Sequence, residues 1–441
     1  MDRQLLACIR TFGCQMNERD TETIQGLLAQ EGYRFTTDIK EAQLILFNTC
    51  CVRENPERKV YGQVEMLRGA KADNPELIIG ICGCMPQQKE ELTEMLERLT
   101  HVDLIFGTHN IHRLPELLHR IKTTGERVVE ILDESGEPVE GLPAHRESDF
   151  KAWVTVMHGC NNFCSYCIVP YVRGREHSRL PKEILREAKS LADEGIKEIT
   201  LLGQNVNSYG QDLRLGMDFA DLLSELNQVP GIERIRFTTS HPKDISDKLI
   251  LQLARLEKVC EHLHLPVQAG SDHVLKRMNR GYNREYYLQL VDKVRYHVPD
   301  ISLTTDIMVG FPGETDADFA DTLSLVEEIR YDSAFTFIYS PRKGTPATKM
   351  PDQVPEEVKK ERIYQLIEVQ NKISLELNQR LCGEELEVLV EGTSKHDAHF
   401  LSGKTRTAKT VAFPGSQDLV GQLVSVRITE AKTWSLVGEI V

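Results

Sequence analysis

The sequence predicts an α/β protein in three parts: an N-terminal α/β domain with a parallel sheet, a central partial (β/α)6 barrel and a C-terminal small β-barrel. Three observations predict it. Short apolar runs alternate with polar helical stretches twice along the chain, the pattern of parallel strands joined by helices. An acidic stretch punctuated by Gly and Pro near residues 121–150 separates the two alternations. Beyond residue 380 short alternating runs with Gly and Ser between them replace the helical pattern, as in a small all-β barrel. The 441 residues are too many for one ordinary domain. The expected boundaries are 3–121, a linker at 122–145, then 146–376 and 379–441.

In the first part, Gln4 to Arg10 leads to Cys14, and Gln43 to Phe47 leads to Asn48-Thr49-Cys50. Leu77 to Ile81 leads to Cys82-Gly83-Cys84, and Val102 to Phe106 closes the set. Ligands of such sheets gather beyond the carboxyl ends of the strands. Cys14, Cys50 and Cys84 therefore should open onto one edge, as a candidate site of three thiolates. The competing reading is that scattered cysteines are small buried hydrophobes, which is what Cys8, Cys260 and Cys382 are expected to be. Cys51 adjoins Cys50, and Cys82 falls inside a strand, whereas Cys84 follows a glycine that lets the chain turn. The stretch ending in Gly141 to Asp149 reads as a connection with room for one hairpin.

The second alternation has strand-like runs at Trp153–Met157, Glu198–Leu202, Arg234–Thr238, His262–Leu265, Ser302–Val309 and Ala334–Tyr339. Helical patterns separate them, such as Pro181–Glu194, where proline suits the first turn. Six βα units imply a partial barrel that carries its function on the carboxyl face. Just after the first strand stands Cys160-Asn161-Asn162-Phe163-Cys164-Ser165-Tyr166-Cys167, a C-x3-C-x2-C spacing. Soft thiolates so close together suit an iron–sulfur cluster, with one ligand fewer than the usual four. A zinc knuckle completed by His158 or His177 is the alternative, although zinc sites favour two-thiol clips. Arg173, Arg175 and Arg179 follow the triplet and suit either phosphate contacts or exposed salt bridges. Glycines at 310 and 313, in Asp306 to Glu314, permit close backbone approach to a ligand or a turn before a helix.

A Pro-rich segment from Ser340 to Pro355 ends the barrel, and a charged helix over Glu356–Gln379 leads on. The last part has runs at Leu386–Val390, Thr410–Phe413, Leu423–Ile428 and Ser435–Ile440. Between them Lys395, Lys404, Arg406 and Lys409 form a cationic loop, either a solvated edge or an RNA-contacting face. The net charge of −14 excludes bulk electrostatic attraction to nucleic acid, so any RNA contact needs a local basic surface. No apolar run approaches the ~20 residues that span a bilayer, and the N-terminus lacks the shape of a signal peptide. A cytoplasmic protein is expected. Eleven scattered cysteines in a reducing compartment argue for metal or catalytic use rather than disulfides.

Gly13-Cys14-Gln15-Met16-Asn17, Asn48-Thr49-Cys50 and the Cys160 triplet, in that order, resemble the methylthiotransferase family of radical S-adenosylmethionine (SAM) enzymes. The resemblance covers nearly all of the chain. It is greatest to the branch that makes 2-methylthio-N6-isopentenyladenosine in tRNA. Gln15-Met16, Leu202-Gly203-Gln204-Asn205 and Phe237-Thr238-Thr239-Ser240-His241-Pro242 carry that finer resemblance, and Cys82 is a departure where relatives carry a small residue.

The resemblance implies a radical SAM 4Fe-4S cluster on Cys160, Cys164 and Cys167, whose open iron binds SAM, and an auxiliary 4Fe-4S cluster on Cys14, Cys50 and Cys84. It implies SAM contacts at Gly203, Gln204, Asn205, Thr239, Ser240, Gln268, Ser271, Asp306, Val309, Gly310 and Tyr166, the last alternatively an aromatic lid on the cluster. The terminal barrel then resembles a TRAM domain. RNA contacts are assigned to Arg173, Arg175, Arg179, Lys395, Lys404, Arg406 and Lys409. The implied substrate is the anticodon stem-loop of a tRNA bearing isopentenyladenosine. Two SAM molecules serve each turnover, one as radical source and one as methyl donor. An electron donor such as flavodoxin, a sulfur donor and a monomeric state complete the expectation. Carbon 2 of adenine has no acidic proton and no leaving group, so acid–base chemistry cannot open it and a radical cofactor must. The rival readings are methylthiolation of threonylcarbamoyladenosine in tRNA or of a ribosomal-protein aspartate. A non-catalytic iron–sulfur RNA adaptor is the third, and it would not need Gln204, Asn205 or the Asp306–Glu314 loop.

Overall fold

A computed structural model describes residues 5–51, 54–133, 136, 139–395 and 397–441. Arg3 and Gln4, at the head of the first expected domain, and residues 134, 135, 137 and 138 of the expected linker lie outside the described residues. The N-terminal part runs β1 (Leu5–Thr11), α1 (Gln15–Gln30), β2 (Tyr33–Phe35), β3 (Leu44–Thr49), α2 (Glu54–Asp73), β4 (Ile78–Gly83), α3 (Lys89–Arg98), β5 (Leu104–Phe106), α4 (Leu114–Thr124) and β6 (Val128–Glu130). All six strands are parallel, in the order β2-β1-β3-β4-β5-β6. β3 and β4 are buried along their whole length, as central parallel strands covered on both faces must be. Strand alternation divides their side chains between two cores. Ile45, Phe47, Ile79 and Ile81 pack with α2 and α3, while Leu44, Leu46, Ile78 and Cys82 pack with α1 and α4.

Two short strands at the sheet edges, β2 and β6, escape the sequence reading. β6 also moves the expected boundary. The helix before it runs to Thr124 and Val128–Glu130 pairs with β5, so the sheet extends beyond residue 121 and the expected hairpin gives way to a parallel edge strand.

The central part comprises β7 (Lys151–Thr155), β8 (Met157–His158), α5 (Val169–Val172), β9 (His177–Ser178), α6 (Pro181–Asp193), β10 (Glu198–Leu202), α7 (Phe219–Asn227), β11 (Arg234–Thr238), α8 (Asp247–Arg255), β12 (His262–His264), α9 (Asp272–Arg277), α10 (Arg284–His297), β13 (Ser302–Val309), α11 (Asp316–Ile329), β14 (Ser333–Ile338) and α12 (Glu356–Gln379). β7, β10 and β11 form one parallel sheet and β12, β13 and β14 another, bridged at Ile235 and Val259. The six expected strands are thus present as an open, partial barrel. Along β13, Leu303, Thr305, Ile307 and Val309 face the outer core, while Thr304, Asp306 and Met308 face the lumen.

The last part is a closed barrel of β15 (Glu385–Thr393), β16 (Phe400–Thr405), β17 (Thr410–Pro414), β18 (Leu423–Ala431) and β19 (Leu436–Ile440), in the order β15-β16-β17-β19-β18. Four of these strands were expected. The fifth, β16, occupies the stretch read as a cationic loop, its apolar signal diluted by Ser402, Gly403 and Lys404.

This barrel sits on the amino ends of the core strands. Arg236 donates to the carbonyls of Thr405 (2.7 Å) and Arg406 (2.8 Å), and Arg234 to those of Lys404 and Glu387. Arg406 pairs with Glu261 at 2.7 Å, and Lys409 with Asp332 at 2.6 Å and Asn378 at 2.9 Å. Lys404 donates to Thr410. The expectation that Lys404, Arg406 and Lys409 face RNA is therefore corrected: Arg406 and Lys409 are engaged in docking the barrel, Lys404 is bonded within it to Ala408 and Thr410, and Lys395 alone of the four remains exposed. Arg406→Ala combined with Lys409→Ala should loosen this docking by about 1–3 kcal/mol per charged group. The change should appear as a lower melting temperature and faster proteolysis after α12. Among the described residues no helix is long and apolar enough to cross a membrane.

Candidate functional site: two sets of three thiols

Cys14, Cys50 and Cys84 follow β1, β3 and β4, which are neighbours in the sheet, so all three stand at one carboxyl edge. Two glycines make this approach possible. A Cβ on Gly13 (φ +129°) would lie 2.3 Å from Cβ of Cys50, and one on Gly83 (φ +93°) 2.4 Å from the Thr49 carbonyl. Asn17, fully buried, ties the loops together. Its Nδ2 donates to the Thr49 carbonyl at 2.8 Å, its carbonyl accepts from Asn48, and its Oδ1 accepts from Cys14 Sγ at 3.5 Å.

The hydrogen bond with Cys50, reinforced by the charge of Arg173, pulls the Cys14 thiol down to about 6. Cys84 is lowered by a hydrogen bond with Cys51 and then by Arg173. Four thiols thus meet at this edge as two close pairs, with Cys51 as the unexpected fourth. Cys82 does not join them: it lies in β4 on the opposite core, and burial raises its thiol well above the usual range. Cys8 and Cys260 are buried as expected, but Cys382 is exposed in the turn after α12.

The other three thiols share one loop after β8. Gly159 (φ +73°) has no room for a Cβ, which would lie 2.0 Å from the Arg175 carbonyl. Ser165 fastens the loop to the segment after α9, its N donating to the Met278 carbonyl at 3.0 Å and its Oγ to Arg277 at 2.8 Å. Burial pushes the Cys160 thiol up to about 11 and the Cys167 thiol up to about 12. Anionic sulfur here needs a compensating cation, and Arg280 supplies it. That residue is 4% exposed and donates to Cys164 Sγ (3.4 Å), Tyr166 Oη (3.4 Å) and the Pro266 carbonyl (2.7 Å). Sequence reading missed Arg280, because nothing local marks an arginine that acts more than a hundred residues away. His158 and His177, the alternative zinc ligands, pair across β8 and β9 and line a cavity of about 700 Å³ between the two α/β parts. Among the described residues no three His, Cys, Asp or Glu side chains are placed to hold a single metal ion.

Beyond β10 and β11, buried Gln204 Oε1, Asn205 Oδ1, Thr239 Oγ1, Ser240 Oγ and His241 Nε2 have no protein partner. Unsatisfied buried polar atoms are costly, and five together fit a polar ligand such as the amino-acid end of SAM. Gly203 holds the strand ends together, exchanging backbone hydrogen bonds with Thr238 and Thr239. Asn205 Nδ2 is held by Asp244 at 2.8 Å.

The remaining expected contact residues have varied surroundings. Ser271 is hydrogen-bonded to Asp318. Val309 points into the outer core. Gly310 makes room for Lys359, whose Cγ would lie 2.3 Å from an added Cβ, and Gly313 makes room for Arg277. Asp306 faces the lumen, 3.6 Å from His264. Gln268 (φ +73°) bridges to β13 through its backbone. Tyr166 packs edge-on against Phe311 at 6.4 Å. Of the three arginines, Arg173 is buried against Asp20, and Arg179 is held by Glu140 and Glu187. Arg175 is exposed, over the ring of Phe163 at 4.3 Å.

Comparison with known proteins agrees with this division. Residues 154–326 match the Radical SAM superfamily, 7–107 match "Uncharacterized protein family UPF0004", and 379–441 match the TRAM domain. The chain is 56% identical to a tRNA-2-methylthio-N(6)-dimethylallyladenosine synthase of Acetivibrio thermocellus over 439 residues, covering 100% of this chain and 92% of that protein. It is 55% identical to one of Clostridium perfringens over 441 residues, covering 100% and 98%. Among solved structures it resembles the radical SAM methyltransferase TsrM from Kitasatospora setae (TM-score 0.55, 14% identity, 89% of this chain and 79% of that one). It also resembles the cobalamin-dependent SAM radical enzyme OxsB (TM-score 0.52, 14% identity, 84% and 58%). At such identity these structures speak for the fold alone.

Proposed function

The chain belongs to the family of the tRNA-2-methylthio-N(6)-dimethylallyladenosine synthases, and we propose that it places a methylthio group on carbon 2 of N6-isopentenyladenosine beside the anticodon of tRNA. It is a radical SAM enzyme that uses SAM and a 4Fe-4S cluster. The observation that carries the sulfur chemistry is the presence of two three-cysteine sites, one at the carboxyl edge of the N-terminal sheet and one in the loop after β8.

When bound, the cluster and SAM supply the radical that an aromatic C–H bond without acidity requires. Cys160, Cys164 and Cys167 hold that cluster, and Arg280 offsets its charge through Cys164. Gln204, Asn205, Thr239, Ser240 and His241 orient the polar end of SAM. Cys14, Cys50 and Cys84 hold a second 4Fe-4S cluster, the source of sulfur, and a second SAM per turnover is the methyl donor. The terminal barrel grips tRNA by a surface other than the Lys404–Lys409 turn; Lys395 there and Arg175 near the mouth remain free for phosphate. A flavodoxin-type electron donor and a sulfur donor complete the cycle of a monomeric enzyme. Docking of α1 on the core, through Met16 against Thr155 and Arg19 against Glu187 at 3.3 Å, holds the two thiol edges in fixed relation.

The test is mass spectrometry of tRNA nucleosides from cells lacking this protein. The expected result is loss of 2-methylthio-N6-isopentenyladenosine with accumulation of N6-isopentenyladenosine. An unchanged level of the methylthiolated base would refute the assignment.

A further inference from the structure

Arg173 lies six residues after Cys167, at the end of α5, yet its side chain belongs to the other domain. It is 5% exposed. Its Nη2 donates to Asp20 Oδ2 at 2.7 Å and to Asn17 Oδ1 at 3.2 Å, both on α1, the helix that directly follows Cys14. The same Asn17 oxygen accepts from Cys14, and the same amide holds the Thr49 carbonyl next to Cys50. The guanidinium and the Cys14 thiol thus share one acceptor, Asn17 Oδ1. A buried ion pair is weak evidence of a purely stabilising role, since desolvation offsets most of the attraction. This one instead presents a fixed cation to sulfur ligands of a domain that has no other buried arginine at that edge among the described residues.

We infer that Arg173 is a positioning residue which the radical SAM core contributes to the N-terminal thiol site, where it sets the charge balance of a cluster held by Cys14, Cys50 and Cys84, with Asp20 as its counterion. The inference rests on the proposed second cluster. Reduction adds negative charge to a cluster, so a nearby cation favours the reduced form and a nearby carboxylate opposes it. Arg173 and Asp20 therefore act with opposite sign on one equilibrium, which a merely structural tether would not do.

The experiment uses the full chain carrying Cys160→Ala, Cys164→Ala and Cys167→Ala, reconstituted with iron and sulfide, so that the N-terminal cluster alone reports. Redox titration followed by electron paramagnetic resonance should show a lower midpoint potential for Arg173→Met and a higher one for Asp20→Asn. Each shift should be at least tenfold in the one-electron equilibrium, about 59 mV. Arg173→Lys, which keeps the charge, should stay near the parent. If Arg173→Met fails to retain iron, Asp20→Asn and Arg173→Lys decide the matter. Shifts of one sign, or none, with about four irons retained would overturn the role of Arg173 while leaving the cluster in place. A parent without iron would remove the cluster and the inference with it.

Discussion

Replacement of Cys160, Cys164 and Cys167 together by alanine should lower the iron content of anaerobically reconstituted protein from about eight to about four per chain, and should abolish formation of 5′-deoxyadenosine from SAM. The effect is expected to be complete rather than graded. The loop has no other thiol, and the atoms that fix its shape are backbone and hydroxyl groups independent of sulfur, such as Ser165 on Met278 and Arg277. The fold should therefore survive, with circular dichroism unchanged. Continued production of 5′-deoxyadenosine by the triple variant would mean that the radical chemistry resides elsewhere.

Replacing Cys14, Cys50 and Cys84 should have the complementary outcome: all methylthiolation of tRNA lost, about four irons retained, and reductive SAM cleavage still measurable. Single variants at Cys8, Cys82, Cys260 and Cys382 should keep both clusters. Cys82 faces the α1–α4 side of the sheet among apolar side chains, where a thiolate would be poorly solvated. Cys51 is the instructive case, because it shares a hydrogen bond with Cys84 as Cys50 does with Cys14. Cys51→Ala should leave iron content intact; loss of four irons from that variant alone would transfer the ligand role to it from Cys50.

Sequence made the strand-to-cysteine succession legible because central parallel strands are continuous apolar runs and the cysteines follow them directly. β3 and β4 are of this kind. The six core strands and the α12 helix were legible for the same reason of length and periodicity. Of the three-residue strands, β5 and β12 fell within the expected runs Val102–Phe106 and His262–Leu265, whereas β2 and β6 were not legible. Charged side chains were the least legible. Arg173, Arg179, Arg406 and Lys409 look in sequence like surface cations, and their acceptors (Asp20, Glu140, Glu261 and Asp332) are brought to them only by domain packing. The glycine at 310 misled in a related way: it does admit a close neighbour, but the neighbour is Lys359 from α12.

Docking of the terminal barrel onto the amino ends of the core strands also orders events on the ribosome. Arg234 emerges 170 residues before its acceptor at Lys404, and Arg236 emerges 170 residues before its acceptor at Arg406. At typical translation speeds of about 5–20 residues per second the interval is roughly 10–30 s. During that time the amino ends of the strands lack their barrel contacts and these guanidinium groups must be hydrated. The nascent core thus acquires its closed floor only when the last strands are released, so a ribosome stalled near residue 380 would display a core whose strands are in place and whose base is still open to solvent.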